Sequence, residues 1–184
     1  MLPRVIPEPW KSLLLEIDNA IKESTELHCL GGFVATILYG LERPTSDVDF
    51  IEITPRSEAT HLLELAGEGS KLHRKHGVYL QLVGVAKVPE DYEQRLIEMF
   101  PGVFNLLRLL ALDPYDIALS KLERNSQRDR DDIKHLARTV PFDLDVLKER
   151  YTKELRSNLG IPKREDLTLE LWIDAIKEER SAAA

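Results

Sequence analysis

Apolar residues along this chain keep two different rhythms. From Trp10 onward, Leu13, Leu14, Ile17, Ala20 and Ile21 recur at helical spacing, and Pro9-Trp10 suits a helix start. The prolines within residues 1–9 predict an extended lead-in. Residues 26–30 read as a short strand, and 33–39 as an apolar helix that Gly40 stops. After a loop over 41–46 containing Pro44, residues 47–53 alternate: Val48 and Phe50 are apolar, Asp47 and Asp49 polar, with Ile51 on the carboxylate face. A strand open on one face is expected there. Residues 58–68 predict an amphipathic helix with Leu62, Leu63 and Leu65 as its apolar side. The pattern continues with a strand over 78–85, a helix over 91–98 and a further strand over 104–112.

Beyond residue 112 the rhythm is helical throughout. Asp113 suits an N-cap with Pro114 at the first helical position, opening a helix to about Arg124. After a polar break at 125–127, a second helix begins near Arg128 or Asp129, and Pro141 ends it. Asp143 caps a third, through about Ser157. A last helix over 164–179 carries Leu167, Leu169, Leu171, Trp172, Ile173 and Ile176, and the Ser-Ala-Ala-Ala tail is expected to fray. No internal repeat is visible. The fold class is α/β, in the α+β sense: a small mixed sheet, then a C-terminal helical bundle. The boundary falls between residues 1–112 and 113–184.

Composition changes this picture little. The 184 residues are 43% hydrophobic and 31% charged, an ordinary globular balance. A net charge of −7 gives no global sign of nucleic-acid binding, though it permits a local basic patch. The most basic stretch is Lys71–His76, read either as a solvated hairpin or helix end or as a landing site for phosphates or RNA. One cysteine, Cys29, excludes an internal disulfide framework and fits a reducing cytoplasm. No stretch is long enough for a membrane span, and the N-terminus lacks the apolar core of a signal peptide. A cytoplasmic location is the expectation. The five histidines show no zinc-ligand spacing with Cys29.

Residues 30–53 hold the candidate chemistry. Asp47 and Asp49, two apart on a strand, face one way and repel unless a cation lies between them. Oxygen-only ligands of this kind suit Mg²⁺ shared with substrate phosphates. Gly31 and Gly32 leave room for a polyphosphate to approach backbone N–H groups at the mouth of the next helix. Taken singly, an Asp-x-Asp is commonly two solvated side chains and a Gly-Gly a turn. A second cluster lies downstream: Lys121 and Arg124 share one helix face, Asp129 and Asp132 the next, and the short connection brings all four together. Taken alone, these are ordinary surface ion pairs.

In this order, strand, Gly31-Gly32, helix, Arg43-x-Thr45-x-Asp47-x-Asp49, strand, the sequence resembles the nucleotidyltransferase superfamily that shares the DNA-polymerase-β palm. With Lys121-x-x-Arg124 and Arg128-Asp129-x-x-Asp132 added, it looks like the toxin-type nucleotidyltransferases of toxin–antitoxin and abortive-infection systems. This resemblance covers about residues 28–140. It implies a nucleotidyltransferase palm over 1–112 and a helical region over 113–184 that completes the active site. It also implies transfer of a nucleoside monophosphate from a triphosphate such as ATP to an acceptor hydroxyl, RNA by family likeness, for instance a tRNA 3′ end. Asp47 and Asp49 would hold Mg²⁺ or Mn²⁺. Gly31, Gly32, Arg43, Thr45 and Arg124 would contact the nucleotide, and Lys121 its phosphates. Asp132, with Asp129 as rival, would fix the lysine or take a proton. A cognate antitoxin protein is an implied partner.

One departure stands out. Palm enzymes commonly carry a third carboxylate on a neighbouring strand. The strand over 78–85 offers Gln81 as its polar side chain, and a glutamine cannot take a proton at neutral pH. Strand parity points Glu52 away from Asp47 and Asp49. The alternatives to an enzyme are therefore a palm that binds nucleotide or RNA without chemistry, and a protein-interaction component of such a system.

Overall fold

The computed structural model describes residues 5–182. Of the extended lead-in expected over residues 1–9, residues 1–4 lie outside the described residues; of the tail expected to fray, Ser181 and Ala182 still belong to the last helix, and residues 183–184 lie outside the described residues. The fold is α+β, with a five-stranded mixed sheet and eight α-helices among the described residues. The chain divides into two compact units. One comprises the residues up to Gly84 with Leu96–Leu112; the other comprises Val85–Arg95 with the chain from Asp113 onward.

The first unit holds the sheet. Its elements are α1 (Trp10–Ala20), β1 (Thr25–Leu30), α2 (Gly31–Tyr39), β2 (Asp47–Thr54), α3 (Ala59–Ala66), α4 (Lys71–His76), β3 (Tyr79–Leu82), β4 (Ile97–Glu98) and β5 (Leu107–Ala111). The strand order is β3-β2-β1-β5-β4. β1 runs antiparallel to β2 and parallel to β5, β2 parallel to β3, and β4 antiparallel to β5. Trp10, Leu13, Leu14 and Ile17 of α1 are buried, as the helical spacing requires, and the Trp10 ring meets Phe33 with centroids 4.9 Å apart. Val48 and Phe50 are fully buried while Asp47 and Asp49 are half-exposed, so β2 has the two-faced character its alternation predicts.

Four expectations are corrected here. Residues 91–98 form a 3₁₀ turn at Tyr92–Arg95 followed by the short strand β4, not a helix. The strands expected over 78–85 and 104–112 are shorter, β3 and β5, because only those residues find ladder partners. In α3, Leu62 and Ala66 are buried while Leu63 and Leu65 are only half-buried. The last correction concerns β2. Its register with β1 slips, with His28 opposite Glu52 but Cys29 opposite Phe50, so Ile51 is the extra residue of a bulge. Asp49 and Glu52 lie opposite Leu30 and His28, which share a face of β1. Glu52 is therefore on the carboxylate face despite simple parity. Its carboxylate is taken by Arg56, which donates at 2.9 and 3.0 Å.

Asp18, at the end of α1, organises the approach to β5. Its Oδ1 accepts from the amides of Leu106 and Leu107 at 2.7 and 2.8 Å, and its Oδ2 from the amide of Asn105 at 2.9 Å. Burial disfavours its charge, but these donors outweigh that and hold its pKa below the ordinary value.

The second unit contains α5 (Pro114–Leu119), α6 (Gln127–Thr139), α7 (Leu144–Arg150) and α8 (Pro162–Ala182). A π-turn at Tyr151–Leu155 and a 3₁₀ turn at Arg156–Asn158 continue α7 where one regular helix is expected. In α8, Leu169, Trp172, Ile173 and Ile176 are buried, but Leu167 and Leu171 are exposed. The segment 85–95 is bound by charge: Arg95 donates to Asp116 at 3.0 and 3.1 Å and to Glu154 at 2.7 Å, and Arg150 donates to Asp113 and Asp116 at 2.7 and 3.1 Å. Among the described residues no helix is long and apolar enough to cross a membrane.

Asp18→Ala is expected to destabilise the protein by about 2–4 kcal/mol, because it strands three backbone N–H groups at the start of β5. Urea unfolding of the variant beside wild type measures this. A loss below about 0.5 kcal/mol would show that water replaces the carboxylate there.

Candidate active site

The glycine pair and the aspartate pair meet in the first unit. Gly31 adopts φ +77° and is already the first residue of α2, two residues earlier than the apolar pattern suggests. A Cβ built on Gly31 would lie 2.2 Å from Asp49 Oδ2, so only glycine admits the carboxylate this close. On Gly32 a Cβ would lie 3.0 Å from Thr45 Oγ1 and 3.5 Å from an Arg43 guanidinium nitrogen. Thr45 donates its hydroxyl to Asp47 Oδ1 at 2.8 Å. The motif residues, scattered over nearly twenty positions, thus form one cluster: Gly31 against Asp49, Gly32 against Thr45 and Arg43, Thr45 against Asp47. The positive end of the α2 backbone dipole lies beside the Asp49 carboxylate.

This cluster suits a shared metal ion better than a dedicated metal cage. Among the described residues, no group of three or more His, Cys, Asp or Glu is placed to hold a metal. Two half-exposed carboxylates on one face of β2 would offer a divalent ion oxygen donors and leave its remaining positions to water and phosphate, a mode Mg²⁺ commonly adopts. Cys29, behind them, is fully buried, and burial together with the Asp49 charge pushes its thiol pKa far up, so it is not a nucleophile here.

The neighbouring strand carries Gln81 directly opposite Asp49 and Tyr79 directly opposite Asp47. The position where a third carboxylate would be sought is thus filled by an exposed amide. Gln81 is not the sole polar side chain of this strand: the Tyr79 phenol lies on the same face. The alternation Tyr79-x-Gln81 carried that signal. Burial, with the charges of Asp47, Glu68 and Asp49, raises the Tyr79 pKa above its ordinary value, so the phenol stays neutral.

In the second unit, Lys121, Arg124, Asp129 and Asp132 do come together, by a different route from the one expected. α5 ends at Leu119, and Lys121 and Arg124 lie in a tight turn over 120–124, so they do not share a helix face. α6 starts earlier than expected: Ser126 caps it, and Asp129 closes a capping box with the Ser126 amide and hydroxyl at 2.9 and 2.7 Å. The signal Ser126-x-x-Asp129 was present in the sequence. Asn125, at φ +41°, turns the chain; its side chain accepts from Trp172 of α8 at 3.0 Å.

Lys121 is buried, with its ammonium 2.9 Å from Asp132 and 3.6 Å from Asp129. Arg124 donates to Asp129 through two nitrogens, at 2.8 and 2.5 Å. Burial alone would raise the Asp129 pKa. The Arg124 and Ser126 donors and the Lys121 charge overcome it and hold the group at about 2.

A family model described as "Nucleotidyltransferase of unknown function (DUF6036)" matches residues 12–180. Comparison with curated proteins and with solved structures gives no match.

Two outcomes follow from this geometry. Gly31→Ala drives a methyl group into the Asp49 carboxylate and is expected to abolish transferase activity. Gly40→Ala, also at positive φ but with nothing within 4 Å of the new Cβ, loses only about 1 kcal/mol and keeps activity. Equal activity loss in the two variants would remove the close approach from the account. The second outcome concerns pH. Because the folded pKa of Asp129 lies below the ordinary 3.8, its stabilisation is complete above about pH 4 and disappears as pH falls toward 2. Asp129→Asn should cost about 1–2 kcal/mol at pH 7, reduced from the full linkage value because Arg124 is largely exposed, with the gap to wild type closing between about pH 4 and 2. A gap independent of pH in denaturant titrations would contradict this.

Proposed function

The chain belongs to this nucleotidyltransferase family, and on that premise we propose that it transfers a nucleoside monophosphate from a nucleoside triphosphate, ATP among them, to an acceptor hydroxyl, RNA in the first instance. The acceptor oxygen bonds to the α-phosphorus, the bond to the pyrophosphate oxygen breaks, pyrophosphate leaves, and the hydroxyl proton passes to a base or to water. The observation that carries this reading is the single cluster of Gly31, Gly32, Arg43, Thr45, Asp47 and Asp49, brought together by the β1–α2 turn and the start of β2. Asp47 and Asp49 would hold Mg²⁺ or Mn²⁺, which when bound supplies charge neutralisation at the phosphates. Gly31 opens the space beside Asp49. Thr45 orients Asp47, and Arg43 supplies positive charge beside Gly32. Chemistry of this kind depends on positioning and electrostatics, for which a small, pre-formed cluster is sufficient.

Lys121, Arg124, Asp132 and Asp129 are proposed as the second constellation serving the activity. Lys121 is the cation for phosphate, with Asp132 fixing it. Asp129, held at about 2, is a poor proton acceptor at neutral pH. The toxin assignment, with an antitoxin as partner, rests on the resemblance of these motifs alone. Gln81 opposite Asp49 favours a second reading, a palm that binds nucleotide without chemistry.

Incubation with Mg²⁺, labelled triphosphates and total RNA tests the proposal. Labelled RNA is expected, with Asp49→Asn lowering the yield at least about 100-fold. Saturable triphosphate binding with no product under any acceptor would favour the second reading. If the protein is a toxin, its expression arrests growth and Asp49→Asn relieves the arrest; arrest that survives this substitution would separate toxicity from the transferase.

A further inference from the structure

The carboxylate face of β2 continues onto β3, an edge strand of the sheet. Parallel register sets Tyr79 beside Asp47 and Gln81 beside Asp49, so the four side chains share one face. Tyr79 is half-buried, and the His73 ring of α4 lies against it, with centroids 4.6 Å apart and planes tilted by 48°. The His73 ring is itself held: its Nδ1 accepts from the Gly69 amide at 2.8 Å, which leaves the proton on Nε2.

The same short helix gathers positive charge. Lys71, Arg74 and Lys75 are exposed and fall on one face at i, i+3 and i+4, while Leu72 is buried on the other. Lys75 pairs with Glu16 at 2.5 Å, and His76 lies 3.0 Å from the same carboxylate. Arg74 donates to the Gly69 carbonyl. Among the described residues, neither Lys71 nor Arg74 has a carboxylate ion-pair partner. In a chain of net charge −7 this is a local exception, and it adjoins an aromatic pair beside the catalytic carboxylates.

An aromatic face flanked by cations recognises single-stranded nucleic acid, because every base has a π-face and every link a negative phosphate. We propose that Tyr79, backed by His73, is the platform on which an unpaired base of a single-stranded nucleic-acid acceptor stacks, with Lys71 and Arg74 taking its phosphates. This rests on the transferase reading, which makes such a strand the acceptor. A terminal base stacked at Tyr79 sets its ribose hydroxyls next to Asp47, the strand-to-strand neighbour of the tyrosine.

Fluorescence anisotropy of a labelled single-stranded RNA of about 12 nucleotides, with full-length protein and Mg²⁺ but no triphosphate, tests this without requiring turnover. Tyr79→Leu should raise Kd about tenfold, and Tyr79→Phe should keep wild-type affinity, since the ring and not the hydroxyl is used. Lys71→Glu combined with Arg74→Glu should weaken binding and reduce the slope of log K against log salt by about 1.4, some 0.7 for each lost phosphate contact. Inorganic polyphosphate, having no base to stack, should compete equally well against wild type and Tyr79→Leu. Unchanged affinity in Tyr79→Leu, or duplex RNA bound as tightly as the single strand, would overturn the platform. The two proposals fail separately. Tyr79-dependent binding with no labelled product removes the chemistry and leaves the platform; product formation by Tyr79→Leu at unchanged acceptor KM removes the platform and leaves the chemistry.

Discussion

The first unit depends on one close approach, that of the Asp49 carboxylate to the α-carbon of Gly31. It requires a residue without a side chain, at positive φ, at the point where β1 becomes α2. Antiparallel pairing supplies the geometry: Leu30 lies opposite Asp49, so the residue that follows Leu30 turns over the carboxylate. The helix begins at once, which sets the start of its first turn and the positive end of its dipole beside a negative group. Thr45 and Arg43 then close around Gly32, and Thr45 fixes Asp47. A single steric constraint thus ties the turn, the loop over 41–46 and the strand into one arrangement.

Buried charge organises the second unit. Asp116, Asp129 and Asp132 are all buried, and each has cationic partners: Arg95 and Arg150 for the first, Arg124 and Lys121 for the second, Lys121 for the third. Burial pushes the Asp116 carboxyl upward even with two guanidinium groups against it, whereas Arg124 and the capping-box donors carry Asp129 the other way. Such pairs add little net stability over apolar packing but penalise any arrangement that separates them. They specify which turn meets which helix, and through Arg95 they attach the segment 85–95 to α5 and to the π-turn after α7.

With the third β2 carboxylate, Glu52, engaged by Arg56 and an amide opposite Asp49, the proposed transferase chemistry would rely on neutralisation and placement more than on a strand-borne base. In the proposed reading, Tyr79 and the cations of α4 would extend that economy to the acceptor. They offer a ring and two positive charges at the edge of the sheet, in a protein whose net charge otherwise repels polyanions.

The residues themselves determined the helix of 10–20, the two-faced strand with Asp47 and Asp49 on one side, the Gly40 stop, and the Asp113-Pro114 helix start. Each follows from local periodicity or from the φ preference of one residue. The pairing of Gly-Gly with Asp-x-Asp was legible as a motif, and the meeting of Lys121 with Asp132 was legible through the short connection between them. Only the tertiary structure decided the rest. The bulge at Ile51, which moves Glu52 to the carboxylate face, depends on registry with another strand and leaves no trace in parity. Tyr79 and Gln81 became neighbours of the aspartates through parallel pairing across some thirty residues. Arg95 reached Asp116 by leaving the sheet unit altogether. Local patterns state what each segment prefers. Which segments lie side by side is a property of the whole packed chain, because strand registry and buried ion pairs are interactions between residues far apart in sequence.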